Sequence, residues 1–245
     1  MDLELDGKRA LVTGGSRGIG KVIARVLAAE GAHVAIAARD QARLQAASDE
    51  LAAEASDSVP AFSYEATDDE STRIMVAAAA TALGGIDILI NNAAQPGGHG
   101  RHDLASISMD ELAADLDVKL GGYLRCAQQA VPHMDGWGRI INIGGRPAYL
   151  TGYMFSSMRC IALGAMTKNL ADELGPSGIT VNCIHPGATR TERTVGDRPA
   201  GNVIGRIIES EEVAWLVAYL CSPKSTSVTG ESISCAGGLP GAIWY

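Results

Sequence analysis

Short, almost wholly apolar runs alternate with helical stretches from one end of the chain to the other, and this alternation limits its architecture most. Leu11–Thr13, His33–Ala38, Ala61–Tyr64, Asp87–Asn91, Arg139–Ile143, Thr180–Ile184 and Glu231–Cys235 read as strands. Between the first two, Ile19, Val22, Ile23, Val26 and Leu27 recur at spacings of three and four, which places them on one helix face. Gln41–Glu54, Asp69–Leu83 and Ser156–Leu174 read as further helices. Ser108 with Glu111 forms a capping box for a long helix running towards His133. Ser210 is expected to cap a last helix carrying Val213, Leu216, Val217 and Leu220. The runs DILIN, RIINI and ITVNCI lack polar alternation, as parallel strands buried on both faces do. The expected class is α/β: a doubly wound parallel sheet of about seven strands with helices on both faces. Such sheets take ligands in the crevice beyond the strand carboxyl ends.

The 245 residues hold no repeat and no linker, so 1–245 reads as a single domain. Hydrophobic residues make up 47% against 4% aromatic, enough for a core built from Ala, Val, Ile and Leu. A formal charge of −8 argues against a nucleic-acid binder. The start, MDLELDGKRALVTGG, has no apolar signal core. Gly84, Gly85 and Asp87 break the most apolar region, Ile74 to Ile90, so no membrane span is expected. Cysteines at 126, 160, 183, 221 and 235 form no CxxC, which fits a reducing, cytoplasmic compartment rather than a disulfide framework or zinc site.

Between the first strand and its helix lies Thr13-Gly14-Gly15-Ser16-Arg17-Gly18-Ile19-Gly20. Glycines at 14, 18 and 20 let backbone approach a pyrophosphate, and the helix start offers it free N–H groups and a positive dipole end. Thr13, Gly14, Ser16, Arg17, Gly18, Ile19 and Gly20 are therefore expected to bind a dinucleotide. The second strand ends in Ala38-Arg39-Asp40, where an acid suits the ribose hydroxyl of NAD and an arginine the 2′-phosphate of NADP. Arg39, with Arg17 as a second cation, predicts NADP(H) over NAD(H); Asp40 turned inward would reverse the choice.

These features resemble the short-chain dehydrogenase/reductase family over almost the whole chain. TGGSRGIG is similar to its cofactor loop, and Asn91-Asn92-Ala93-Ala94 to its NNAG element. Pro186-Gly187 with Thr189 and Thr191 resembles its nicotinamide-amide segment, and Thr229-Gly230-Glu231 through Gly237-Gly238 its closing strand. Ala236 stands where an Asp is usual, and Glu65-Ala66 where an Asp commonly contacts adenine. The resemblance adds Asn91, Ala93, Pro186, Gly187, Thr189 and Thr191 to the expected cofactor residues. It also implies a homodimer or homotetramer and a small-molecule substrate.

The resemblance implies a catalytic Asn–Ser–Tyr–Lys set as well, yet the chain contains no YxxxK. Lys119 stands in the Asn place and Gly145 in the Ser place. Phe155 or Ser156 takes the Tyr place, and Arg159 or Cys160 the Lys place. Tyr153 is the best replacement acid: Tyr153-x6-Cys160 has the Tyr–Lys spacing of the family's divergent enoyl reductases, with Cys for Lys. Arg159 and Lys119 are candidate cations beside it. His99 and His102 lie in the loop after the fourth strand, at the crevice mouth; without acidic or Cys neighbours they are assigned no metal. A short substrate lid is expected around 191–210, with Arg193, Arg198 and Arg206 among Gly196, Gly201 and Gly205. The expected function is an NADP(H)-dependent oxidoreductase of a small carbonyl/alcohol or activated C=C substrate. The alternatives are a cofactor-binding protein without redox turnover, as sensor or pseudoenzyme, and a non-redox lyase, isomerase or cyclase on the same fold.

Overall fold

The computed structural model describes residues 1–94, 104–192, 194 and 201–240. The apolar runs form one seven-stranded sheet in which every pairing is parallel. Its strands are β1 (Arg9–Thr13), β2 (His33–Ala38), β3 (Ala61–Ser63), β4 (Ile88–Asn91), β5 (Gly138–Ile143), β6 (Ile179–Pro186) and β9 (Ser232–Cys235), in spatial order β3-β2-β1-β4-β5-β6-β9. Between β6 and β9 in sequence, β7 (Thr189–Arg190) and β8 (Ile208–Glu209) form a separate parallel bridge. The chain leaves β1 towards β2 and β3, then returns to lay β4 on the other side, so the order reverses between β1 and β4.

Successive strand residues feed opposite faces, as the pleat requires. Ala10, Val12, Val34, Ile36, Ile88 and Ile90 pack with α1 (Gly18–Ala29), α2 (Gln41–Ala55) and α7 (Ser210–Cys221). Leu11, Ala35, Ala37, Leu89 and Ile140 pack on the other side with α3 (Asp69–Leu83), α5 (Gly122–Ala130) and α6 (Met154–Leu174). Polar side chains set the helix starts: Asp40 accepts from Arg43 N, Asp68 from Ser71 N, and Ser108 from Glu111 N at the head of α4 (Met109–Leu116). No described helix is long and apolar enough to cross a membrane.

Two local features depart from the sequence pattern. Ser210 is the first residue of α7 and not its cap; Glu209 is the cap, in a reciprocal capping box with Glu212. The Ser210 hydroxyl donates instead to the carbonyl of Arg190, which fastens α7 to β7. The expected long helix from Ser108 is split by a π turn at Asp117–Gly121. Arg125 bridges Asp117 within that stretch and Asp69 on α3, while Gly122 lets the helix pack on Ala66. His99 and His102 of the loop after β4, and Arg193, Gly196 and Arg198 of the expected lid, lie outside the described residues. The described part of the lid is anchored: Asn202 donates from Nδ2 to the carbonyls of Arg206 and Ala236.

At the amino edge of the sheet Arg9 grips Asp87 with Nε–Oδ2 at 2.8 Å and Nη2–Oδ1 at 2.6 Å, tying β1 to the entry of β4. Burial works against ionisation of Asp87, but the hydrogen bonds and charge of Arg9 outweigh it and hold the carboxyl below the ordinary aspartate range. The contribution is therefore complete above that range and is lost as pH falls through the lowered value. Asp87→Ala is expected to lower unfolding free energy by about 1–3 kcal/mol in urea at pH 7. The difference from the unmodified protein should narrow on strong acidification.

Candidate active site

At the sheet's reversal point the carboxyl ends of β1 and β4 are joined by Thr13, which is fully buried. Its hydroxyl donates to Ile90 O at 3.1 Å and accepts from the backbone N–H groups of Asn92 at 3.0 Å and Ala93 at 3.2 Å. Asn92 answers from its side chain, donating to the carbonyls of Thr13 and Gly14, both at 3.1 Å. The glycine loop is thus clamped before any ligand arrives. A Cβ on Gly20 would lie 2.3 Å from both Gly14 O and Asn92 Nδ2, so this glycine is required by the loop's own packing. Gly18 differs: its φ is +56° and the space beside it is open apart from Thr191.

Beyond this loop lies a cleft of about 550 Å³. Gly14, Ser16, Arg17, Gly18 and Ile19 of the loop line it, with Asn92, Ala93, Ala94, Val118 and Thr191. Arg39, Asp40 and Arg43 lie where β2 runs into α2, with Tyr64, Glu65 and Ala66 beside them. The Asp40 carboxylate is used as the α2 cap and faces Arg43, while Arg39 reaches towards Glu65 at 3.8 Å. Asn91 points away from the cleft, donating to Asn142 Oδ1 at 3.0 Å and to Tyr123 O at 3.3 Å. Pro186 ends β6, and Gly187 packs so closely on Ala236 that a Cβ would meet its Cα at 2.8 Å. Thr189 donates to Gly187 O, and Thr191 N–H donates to the Thr194 hydroxyl.

The residues fit a dinucleotide on a structural observation: an anion already stands on the helix start. Glu192 Oε2 accepts from Gly18 N at 3.1 Å, the carboxylate taking the place of a phosphate at the positive end of α1.

The second half of the site gathers where β5 and β6 end. Lys119, in the π turn, is 5% exposed and donates from Nζ to Gly144 O at 2.9 Å. Burial, with the positive charge of Arg159 adding to it, lowers its pKa to about 8; the thiols of Cys160 and Cys183 and the Asp115 carboxylate oppose the fall. Arg159 forms an ion pair with the buried carboxylate of Asp115. His185 lies under Gly145, its Nδ1 3.2 Å from that backbone N–H, and burial pushes its pKa down to about 4, so it is neutral near pH 7. A Cβ on Gly144 would lie 2.3 Å from His185 Nδ1. Phe155, Ser156 and Cys160 are buried, whereas Tyr153 stands at the head of α6 with 41% exposure. Lys119 and Arg159 are thus brought into electrostatic contact, and Tyr153 is placed at the surface of the same helix start.

Four participants were not singled out from sequence. Arg43 had a signal, being a second arginine one turn beyond Arg39. His185 directly precedes Pro186-Gly187, and Glu192 directly follows Thr191, but only the fold brings them to Gly145 and Gly18. Asn92 was visible in the NNAA element, though not its side-chain clamp on Gly14.

Fold and cleft define a doubly wound dinucleotide-binding protein of the kind that carries nicotinamide chemistry. A family profile described as enoyl-(acyl carrier protein) reductase matches residues 14–240. The chain is 36% identical over 250 residues to bovine (Bos taurus) dehydrogenase/reductase SDR family member 4, covering 96% of this chain and 88% of that one. It is 33% identical over 249 residues to a 3-oxoacyl-(acyl-carrier-protein) reductase of Vibrio cholerae, covering 97% and 99%. A short-chain dehydrogenase from Burkholderia cenocepacia in complex with NADP superposes with a TM-score of 0.88 at 36% identity, over 96% of this chain and 98% of that one. L-sorbose reductase from Gluconobacter frateurii, complexed with NADPH and L-sorbose, gives 0.92 at 28% identity, over 99% and 100%. The chain belongs to the short-chain dehydrogenase/reductase family.

Glu192 occupies the Gly18 N–H that a diphosphate at the start of α1 would use. Glu192→Gln removes the competing charge and is expected to tighten NADP(H) binding about two- to fivefold by titration calorimetry. Unchanged affinity would show that the contact does not compete.

Proposed function

We propose that the protein is an NADP(H)-dependent oxidoreductase acting on a small carbonyl/alcohol pair or an activated C=C bond. The observation that carries the reading is the cleft itself: a clamped glycine loop at one wall and three arginines, 17, 39 and 43, around it. Relatives solved with NADP or NADPH support that cofactor. The preference over NAD(H) rests on Arg39 and Arg43, with Asp40 spent on the α2 cap. Charge-assisted contacts of that kind are worth about 10- to 100-fold in affinity.

In this reading the amides at Gly18 and Ile19 hold the diphosphate. Thr13, Gly14, Ser16, Gly20, Ala93, Pro186, Gly187, Thr189 and Thr191 hold or shape the rest of the cofactor site, and Asn91 braces the end of β4 behind it through Asn142 and Tyr123. Nicotinamide, when bound, would supply or accept the hydride. Tyr153 gives the proton to the substrate oxygen, with Lys119 and Arg159 as the neighbouring cations. Exposed Met154, Met158 and Ile161 in the first half of α6 favour self-association as a homodimer or homotetramer. The cysteines, free in the structure and mostly buried, suit a reducing cytoplasm.

A second reading is a non-redox protein on the same fold, either cofactor-binding only or a lyase, isomerase or cyclase. It is favoured by Gly145, which offers no hydroxyl at the end of β5. NADPH absorbance during incubation with ketones, enones and acidic carbonyls separates the readings, with consumption expected. Tight binding without consumption favours the second.

Arg39→Asp is expected to shift the NADP/NAD affinity ratio about 10- to 100-fold towards NAD. Tyr153→Phe is expected to cut turnover about 10²–10⁴-fold with cofactor affinity unchanged, measured by steady-state kinetics and fluorescence titration.

A further inference from the structure

Gly144 and Gly145 follow β5 without side-chain donors, and their backbone N–H groups are already given to Ile184 O and His185 Nδ1. One cation reaches this strand end from another element: Lys119, through its hydrogen bond to the Gly144 carbonyl. An ammonium carries three N–H donors, and this bond uses one. Arg159 is differently placed. Its guanidinium is bound to Asp115, whose side chain is 2% exposed, and an arginine held in this way has a structural partner to satisfy.

Lys119 has no such carboxylate bridge among the described residues. A buried cation without an ion-pair partner costs stability, and replacement by an apolar side chain of similar volume is neutral or favourable. The residue is also carried on a π turn, an insertion that interrupts good helix geometry and recurs at functional sites. Two independent costs, one electrostatic and one conformational, therefore converge on a single side chain at the end of β5.

We propose, on the oxidoreductase reading above, that Lys119 is the catalytic cation: its ammonium donates the hydrogen bond that holds the substrate oxygen as negative charge builds on it, while Arg159 is a structural tie to Asp115. The proton itself still comes from Tyr153. The groups facing Lys119 are Asp115 on α4, the Tyr123 ring on α5 at 5.8 Å, Arg159 and Cys160 on α6, and Cys183 and His185 on β6. Burial chiefly, then Arg159, brings Lys119 down to about 8. Carbonyl reduction needs the charged form, so its rate should fall as pH rises through that value.

The test compares Lys119→Met, Lys119→Arg, Arg159→Met and the double variant Lys119→Met/Cys160→Lys, with the carbonyl or enone that the unmodified protein reduces fastest. Lys119→Met should lower kcat about 10²–10³-fold while the NADPH dissociation constant stays within about threefold. Its thermal midpoint should hold or rise, which a merely structural lysine would not allow. Cys160 lies within electrostatic reach of Lys119, so the double variant, which returns an ammonium from α6, should recover at least about tenfold of the lost rate. Lys119→Arg should remove the decline near pH 8. Arg159→Met should instead lower the thermal midpoint. In the free protein, ¹³Cε-lysine NMR should show one of the chain's five lysines titrating near pH 8, a signal absent from Lys119→Met.

Wild-type turnover in Lys119→Met overturns the proposal, as does loss of NADPH affinity in step with turnover. Failure of the double variant to recover any rate also counts against it. An unmodified protein that binds NADPH but consumes none with any substrate refutes the oxidoreductase reading itself, a result distinct from the others, and the proposal falls with it.

Discussion

The hydroxyl of Thr13 is the point on which the site depends. It joins two strands at the place where the sheet changes direction, taking two backbone donors from the Asn92 region and giving its own proton to Ile90. Because Asn92 returns two hydrogen bonds to the glycine loop, the loop's shape is fixed by protein groups and not by the ligand. A preorganised anion site loses little entropy on binding. The same clamp explains why Gly20 has no room for a methyl group, a requirement that would otherwise be credited to the cofactor.

Charge is distributed in two separate ways along the crevice. Around the β2–α2 junction it is exposed and of both signs, Arg39 facing Glu65 and Arg43 facing Asp40. At the ends of β5 and β6 it is buried and strongly modified by its surroundings: Lys119 is lowered to about 8 and His185 to about 4, both by burial first. An exposed guanidinium gives recognition; a desolvated ammonium interacts strongly with any charge that forms beside it. The relatives place this chain in a family of oxidoreductases.

Much of the fold was legible because its signals are local. Continuous apolar runs mark strands buried on both sides, and the spacing of Ile19, Val22, Ile23, Val26 and Leu27 marks the first helix. The glycine loop was legible for the same reason, since a strand, three spaced glycines and an amphipathic helix follow one another directly. The cap of α7 was misplaced by one residue because Glu209 and Ser210 are adjacent and both polar; the reciprocal pairing of Glu209 with Glu212 decided it. The π turn had no sequence mark, since the apolar spacing continues through it, and it is accompanied by a bridge from Arg125 to Asp69 on α3. Glu192 and His185 were invisible as site residues because their partners, Gly18 and Gly145, lie far away in the chain.

The close approach of His185 to Gly144 has a historical consequence. With an imidazole nitrogen 2.3 Å from where a Cβ would stand, no side chain can be introduced at 144 while the histidine keeps its present position. Ancestry and laboratory evolution meet the same ordering rule: the bulk behind the strand must shrink before the strand itself can gain any. Replacements at these two positions are thus coupled, and a screen that varies codon 144 alone meets the histidine at every turn.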